Sequence, residues 1–229
     1  MRIKVLFEEC LLFQKRAEKV SVVDNTEPFL KQLSDIKGFD DRVAFAEEHC
    51  QKKLGEGSSR TAFQLSSDFI IKVAHNEKGL AQSKEEMQVS LEGRECVNNA
   101  IVADAEYKWI IFKNSEKITE KRFKEIVGCS FKHFTDSLFA KFNNESDRWP
   151  EHKDYGEISE NPFFLCCAEI VFSNDLLLGD LSKISSYRER DGKIILSDVG
   201  FTKTVYRDFY EDDSSSSSSS STVKTTEES

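Results

Sequence analysis

The feature that most constrains the fold is a pair of strand patterns in the first third of the chain. "TAFQL" and "FIIKVA" are rich in β-branched and aromatic residues, and only the polar residues 66–68 separate them. Two such runs around a tight polar turn predict a β-hairpin. The second run carries Lys72 between Ile71 and Val73. Because lysine is rarely buried without a partner, its place in this strand needs an explanation.

Composition limits the classes of protein that this chain can belong to. With 229 residues, 38% hydrophobic content and 18 Phe, the chain can bury a core in one domain or in two small lobes. The formal net charge of −9 argues against nonspecific binding to nucleic acid or to an anionic membrane, because both need a basic face. We therefore expect no nucleic-acid partner and no membrane partner.

The cysteines and the first residues indicate a cytoplasmic protein. The six Cys form no CxxC pair, and Cys166 and Cys167 lie in an apolar run, so they are expected to be buried thiols rather than zinc ligands. The segment "MRIKVLFEECLLFQKR" has acidic residues inside an apolar stretch that is too short for a secretory signal. No apolar run approaches membrane-spanning length.

Helix signals flank the hairpin on both sides. Pro28 after Thr26, and Asp40 with Asp41 before an apolar periodicity, predict two helices, so residues 1–53 are expected to form a helical cap. After the hairpin, residues 79–93 read as a helix closed by Gly93. Residues 99–112 read as two further strands that turn at residues 104–107.

The second half of the chain is predicted to be mostly helical. Thr119 is a candidate cap for one helix, and Ser159 precedes a nearly continuous apolar run that predicts a buried helix. Between them lies an apolar stripe that is expected to be core: Phe131, Phe134, Leu138 and Phe142. The eight serines at 214–221 and their acidic flanks predict a disordered tail over residues 211–229.

The pair Gly55-x-Gly57 is compatible with only some phosphate-binding motifs. No GxxxxGK[ST] is present, and a dinucleotide fingerprint needs a helix after the glycines, whereas here a strand follows. Glycines that lead into a hairpin whose second strand carries a lysine are the arrangement of protein kinases. In that arrangement Lys72 would contact a phosphate. The alternative is a glycine turn beside a lysine on an edge strand.

Acidic residues in the right order favour the first interpretation. Glu86 lies 14 residues beyond Lys72 on the predicted helix, where it could orient the ammonium, and Glu85 and Glu92 are alternatives. Further on, Asp180-Leu181 precedes a turn at Asp191-Gly192, and Asp198-Val199-Gly200 follows an apolar strand. Each aspartate alone would be an ordinary turn or cap residue. Because both aspartates follow the hairpin lysine in this order, together they indicate a functional site.

The segment from Leu54 to Phe201 resembles the protein-kinase-like fold, in particular the small kinase-like proteins of bacteriophages and bacteria. The resemblance implies a two-lobed α+β fold with a small antiparallel N-lobe sheet (54–114) and a reduced helical C-lobe (115–210). It implies ATP and Mg²⁺ as cofactors, and host cytoplasm as the location if a phage encodes the chain. The implied site residues are Asp180, Lys72 and Glu86 as catalytic groups, Gly55, Gly57, Ser58, Ser59, Arg60 and Lys72 for the nucleotide, and Asp198 and Ser185 for the metal.

Several positions depart from the kinase pattern. Arg60 replaces the third glycine of the loop, where it is expected to be solvated or to contact a phosphate. Leu178-Gly179 replaces the His-Arg that precedes the catalytic aspartate, and Ser185 replaces the asparagine, a poorer metal ligand. No APE segment appears among the 31 residues after Asp198. Recognition of a protein substrate therefore cannot be carried over.

Three functions follow from these patterns. The first is transfer of a phosphoryl group from ATP to a hydroxyl, in which Asp180 orients the acceptor. The second is a pseudokinase-like module that binds a nucleotide or a protein partner without efficient catalysis, which Ser185 and the missing activation segment favour. The third is an unrelated α+β interaction domain in which the motifs are coincidental.

Overall fold

A computed structural model describes residues 26–143 and 158–215. Its helices are α1 (Thr26–Asp35), α2 (Phe39–His49), α3 (Glu77–Leu91), α4 (Glu120–Val127), α5 (Phe131–Asn143), α6 (Pro162–Asn174), α7 (Leu178–Leu181) and α8 (Lys203–Ser215). Its strands are β1 (Lys52–Glu56), β2 (Arg60–Gln64), β3 (Phe69–Ala74), β4 (Ala100–Ala103), β5 (Trp109–Lys113), β6 (Glu116–Lys117), β7 (Tyr187–Arg190) and β8 (Lys193–Leu196). The expected α+β fold is confirmed, with a small antiparallel sheet ahead of a mostly helical second part.

The hairpin forms the centre of a five-stranded antiparallel sheet with the order β1-β2-β3-β5-β4. Lys72 pairs with Ala62 of β2 on one side and with Ile110 of β5 on the other. The interpretation of Lys72 as an edge-strand residue is therefore wrong. A lysine on the middle strand of a sheet has little access to solvent and needs a counter-charge within reach.

The N-terminal helices cover one face of this sheet. Leu33 of α1 and Ala46 of α2 are fully buried and pack in one cluster with Phe63, Ile71 and Trp109 of the sheet. Both helices lie within residues 1–53, but Lys52 and Lys53 belong to the edge strand β1, which the sequence pattern did not predict. Residues 1–25, including the segment interpreted as lacking a secretory signal, lie outside the described residues.

The opposite face of the sheet is covered by α3. Asn76 caps the helix by accepting a hydrogen bond from the backbone N–H of Gly79, and Gly93 follows its end with a φ of +67°. Met87 packs in one cluster with Ile110 and Phe112 of β5. The first turns of α3 also lie close to the loop between β1 and β2.

The helical part of the chain has its own core. Phe123, Phe134 and Phe164 of α4, α5 and α6 are fully buried together, as the predicted apolar stripe requires. Thr119 caps α4, as expected, whereas α6 is capped by Asn161 and not by Ser159. Helix α6 is not buried all round, because Phe172 is 80% exposed.

The cysteines differ from the expectation of free thiols. Cys96, before β4, and Cys166 of α6 are joined by a disulfide, so two of the expected thiols are oxidised. Cys167 is a buried thiol, and burial raises its pKa, as expected for an unreactive cysteine. The expectation failed at Cys96 because 70 residues separate the pair, and only the packing of α6 brings the two sulfurs together.

Helix α8 ends the described part of the chain. It extends through Ser215, so the first residues of the segment expected to be a disordered tail are helical. The rest of the serine run, from residue 216 onward, lies outside the described residues. Among the described helices, none is both long enough and apolar enough to cross a bilayer.

Gly200→Ala is expected to destabilise the fold by about 2 kcal/mol, because a Cβ at this position would lie 2.3 Å from the backbone oxygen of Gln82 in α3. Neither backbone can move without shifting a packed element. Gly179→Ala is the matched control, since a Cβ there has no atom within 4 Å. Urea unfolding of both variants checks the prediction, and equal midpoints would contradict it.

Candidate functional site

A cleft of about 460 Å³ lies between the sheet and the helical part of the chain. This volume is within the range of small-molecule sites. The expected site residues that line it are Gly55, Gly57, Ser58, Ser59, Arg60, Lys72, Asp180, Ser185 and Asp198. Glu86, the remaining one, lies behind the lining and bonds to two of these side chains. The structure thus brings all of the expected site residues together.

Lys72 is held by a buried ion pair with Glu86. Its ammonium donates to the Glu86 carboxylate at 2.6 Å and to the backbone oxygen of Ser197 at 2.8 Å. Glu86 is 1% exposed, so water does not compete for this pair. The sequence left Glu85 and Glu92 as alternatives; Glu92 instead pairs with Arg94 on the surface. The hydrogen bonds fix the direction in which Lys72 enters the cleft.

Asp198 lies beside two cations, Lys72 and Arg60. Its Oδ1 accepts a hydrogen bond from Arg60 at 2.9 Å and lies 3.7 Å from the ammonium of Lys72. Partial burial acts to raise the pKa of Asp198, but the charges of Lys72 and Arg60 outweigh it and hold that pKa below its usual value. The side chain is 45% exposed, so a ligand in the cleft can reach it.

Arg60 is buried in the cleft wall, and the expectation that it is solvated is wrong. It is the first residue of β2 and is 8% exposed. Its guanidinium bridges Glu86 and Asp198. Burial acts to lower the pKa of Arg60, but these two carboxylates outweigh it and raise that pKa. The sequence pattern missed this because the bridge to Asp198 spans 138 positions.

The glycine loop, residues 55–60, is tied to α3. Asn76 donates to the backbone oxygen of Ser58, and Ser59 donates its hydroxyl proton to Gln82 at 2.6 Å. A Cβ at Gly79 would lie 2.2 Å from the backbone oxygen of Ser59, so only glycine allows this close approach. The loop is therefore anchored at residues 58–60, and Gln82 is a supporting residue that the sequence did not reveal.

Helix α8 borders the outer side of the glycine loop. The hydroxyl of Tyr210 lies 3.4 Å from that of Ser58, and the ammonium of Lys78 lies 4.3 Å from the centre of the Tyr210 ring. Phe201 lines the cleft and stacks edge-on against Tyr210. The chain after Asp198 thus returns to the sheet and narrows one side of the cleft.

Asp180 stands on the opposite wall with a cation beside it. Lys183 donates to its Oδ1 at 2.6 Å, and this bond raises the pKa of Lys183. Ser186 fixes the turn by donating its hydroxyl proton to the backbone oxygen of Asp180 at 2.7 Å. Lys183 and Arg188 also line the cleft. Sequence reasoning missed both, although the three-residue spacing of Asp180 and Lys183 is a helical signal.

The two side chains expected to hold Mg²⁺ are one carboxylate that already pairs with protein cations and one neutral hydroxyl. Oδ1 of Asp198 already binds one cation and lies near a second, and Ser185 offers only a neutral hydroxyl. Within residues 26–143 and 158–215, no group of three or more His, Cys, Asp or Glu could hold a metal. Mg²⁺ prefers carboxylate and other oxygen ligands in octahedral geometry. The metal role expected for Asp198 and Ser185 therefore remains a sequence-based prediction.

Comparisons with known proteins give a structural likeness but no family. No protein-family model matches the chain, and no curated protein is significantly similar to it. Among solved structures, the chain is similar to the streptomycin-ATP-APH(2")-IIa ternary complex, with 12% identity and a TM-score of 0.34. The match covers 72% of this chain and 71% of that one.

Proposed function

We propose that the cleft binds the triphosphate of ATP and transfers a phosphoryl group to a hydroxyl acceptor. The observation that carries the proposal is the Lys72–Glu86 ion pair, which holds a lysine of the central strand in the same cleft as Asp198 and Asp180. A lysine that served only packing would not need a fully buried carboxylate partner. Pairing of a strand lysine with a helix glutamate is a recurring part of phosphoryl-transfer sites.

In the proposed reaction, each group has a separate role. Lys72 and the backbone of the glycine loop position the phosphates, while Asp180 accepts a hydrogen bond from the acceptor hydroxyl. The acceptor oxygen forms a bond to the γ-phosphorus as the bond to the β–γ bridging oxygen breaks, ADP leaves, and the hydroxyl proton passes to Asp180. Arg60 and Lys183 neutralise charge on the transferred group. Catalysis of this kind is mostly positioning and electrostatic stabilisation.

ATP is the proposed nucleotide, and a protein or a small hydroxyl compound is the proposed acceptor. We place the reaction in the cytoplasm because three of the described cysteines stay as thiols, although the Cys96–Cys166 disulfide differs from that expectation. Mass spectrometry after alkylation with and without reductant tests the oxidation state of this pair.

Lys72→Ala is expected to weaken ATP binding about tenfold and to leave the protein folded. The variant removes a charge-assisted contact to phosphate, whereas Glu86 keeps its second cation, Arg60. Calorimetric titration with ATP measures the affinity, and thermal stabilisation by ATP gives an independent readout. Lys193→Ala is the control, since Lys193 is exposed and pairs with Glu95 outside the cleft. If Lys72→Ala binds as tightly as wild type, Lys72 does not contact the phosphates.

A second candidate function is a nucleotide-binding module that acts by docking rather than by turnover. The observation that favours it is the hydrogen bond from Arg60 to Asp198, which occupies the carboxylate expected to hold a metal. Such a module would bind ATP and show no transfer. Asp180→Asn separates the two candidates, because only a transferase would lose activity.

A further inference from the structure

The inference concerns the cation that accompanies the nucleotide, and it rests on the proposed binding of ATP. In the cleft, the guanidinium of Arg60 stands against Oδ1 of Asp198, and Lys72 lies 3.7 Å from the same atom. A divalent ion that used Asp198 would have to displace or face both positive charges. The position expected for a metal is thus already next to a fixed cation of the protein.

Both the backbone and the side chain of Arg60 are fixed at this position, so Arg60 is not a mobile surface residue. Its backbone pairs with Ala74 of β3, and its side chain is 8% exposed. Glu86, which is 1% exposed, binds Arg60 and Lys72 together. Because the loop before Arg60 is tied to α3 through Ser59, the guanidinium has little freedom to leave.

Breaking the hydrogen bond between Arg60 and Asp198 would also cost free energy. A metal at Asp198 would leave Arg60 beside a new positive charge, while Glu86 alone would balance Arg60 and Lys72. Repulsion between buried cations is weakly screened, since water is largely excluded from them. A phosphate beside Arg60 and Lys72 would instead add an anion next to the two cations and would leave their ion pairs with Glu86 in place. A guanidinium presents a planar set of donors that suits phosphate oxygens.

The opposite wall adds positive charge that a free triphosphate can use. Lys183 and Arg188 line the same cleft as Arg60 and Lys72. Burial lowers the pKa of Arg188, and the charge of Asp198 acts in the other direction. These side chains offer donors to a ligand whose phosphate charges no divalent ion has neutralised.

We infer that the cleft binds a nucleoside triphosphate without a divalent cation, and that Arg60 supplies the positive charge that a metal would otherwise bring to the phosphates. The ligand class is therefore the free nucleotide and not its Mg²⁺ complex. Asp198 acts as a positioning residue, since it fixes the guanidinium between itself and Glu86.

Calorimetric titration of the full chain with ATP tests this inference. We expect wild type to bind ATP in EDTA at least as tightly as in Mg²⁺. Arg60→Ala should lose about tenfold in affinity in EDTA, and Mg²⁺ should then strengthen its binding because Asp198 is released. Arg122→Ala is the matched control, since Arg122 pairs with Glu189 and Glu125 on the surface.

The outcomes separate this inference from the proposed function. Binding by wild type only when Mg²⁺ is present would overturn the inference and leave nucleotide binding intact. No binding in either buffer would overturn the proposed function, and the inference with it. If Arg60→Ala does not fold, Arg60→Lys takes its place, because it keeps the charge but loses the planar set of donors. We expect it to bind ATP in EDTA more weakly than wild type, and equal affinity would contradict the role given to the guanidinium.

Discussion

Glu86→Gln is expected to destabilise the folded state by about 3 kcal/mol, the largest stability effect of a substitution in the cleft. Glu86 is the shared partner of Lys72 and Arg60, and its carboxylate is 1% exposed. The amide keeps the size of the side chain but removes the charge, which leaves two largely buried cations with Asp198 as their shared counter-charge. Breaking a buried pair by removing one partner is costly because the remaining charge is no longer fully compensated.

Urea unfolding of wild type and variant measures this effect, and ATP titration of the variant gives a second readout. Glu85→Gln is the control, because Glu85 is the neighbouring residue on α3 and is only partly buried. Burial raises the pKa of Glu85, so neutralising it removes a charge that the fold does not favour. A Glu86 variant as stable as the Glu85 variant would show that the two cations do not depend on this carboxylate.

Local pattern was sufficient to predict the elements that carry the site. The hairpin, the helix that follows it and the turn at Asp191-Gly192 each have short-range signals, and the structure contains all three. In that turn, Asp191 and Gly192 both adopt positive φ, as a two-residue hairpin loop requires. The spacing between Lys72 and Glu86 was also informative, since both belong to regular elements that pack against each other.

The parts that were missed depend on contacts between distant segments. β1 is an edge strand with charged residues at Lys52, Lys53 and Glu56, and it has no apolar alternation that would reveal it. Arg60 looked like a solvated loop residue because its partner Asp198 is far away in the sequence. Likewise, nothing near Cys96 indicates that α6 brings Cys166 beside it. Charge pairing inside a cleft is decided by packing, which a single sequence does not show.

The anchored glycine loop bears on both candidate functions. A loop that is tied by Asn76 and Gln82 and approached closely by Gly79 is held in place before any ligand arrives. Preorganisation of this kind lowers the entropy cost of binding a phosphate. It serves transfer and docking equally. The choice between them therefore depends on whether Asp180 takes part in chemistry.

Asp180→Asn is expected to lower the turnover of ATP by about 100-fold without weakening the binding of ATP. In the proposed reaction, Asp180 accepts the proton of the acceptor hydroxyl and has no contact with the bound phosphates. The amide keeps the shape of the side chain, and its oxygen remains within reach of Lys183. In the wild-type protein, Lys183 donates to the Asp180 carboxylate at 2.6 Å. An interaction used only in the transition state affects the rate and not the dissociation constant.

Single-turnover release of labelled phosphate from ATP, with water as the acceptor, measures this effect in Mg²⁺ and in EDTA. Asp175→Asn is the matched control, because Asp175 lies five positions away, pairs with Lys203 and is exposed. Asp175 adopts a φ of +50°, which asparagine also tolerates, so this control should stay folded. If wild type binds ATP but releases phosphate no faster than Asp180→Asn, the carboxylate has no chemical role. The cleft would then serve a nucleotide-binding docking module, in which the ion pairs of Arg60 and Lys72 hold the ligand in place.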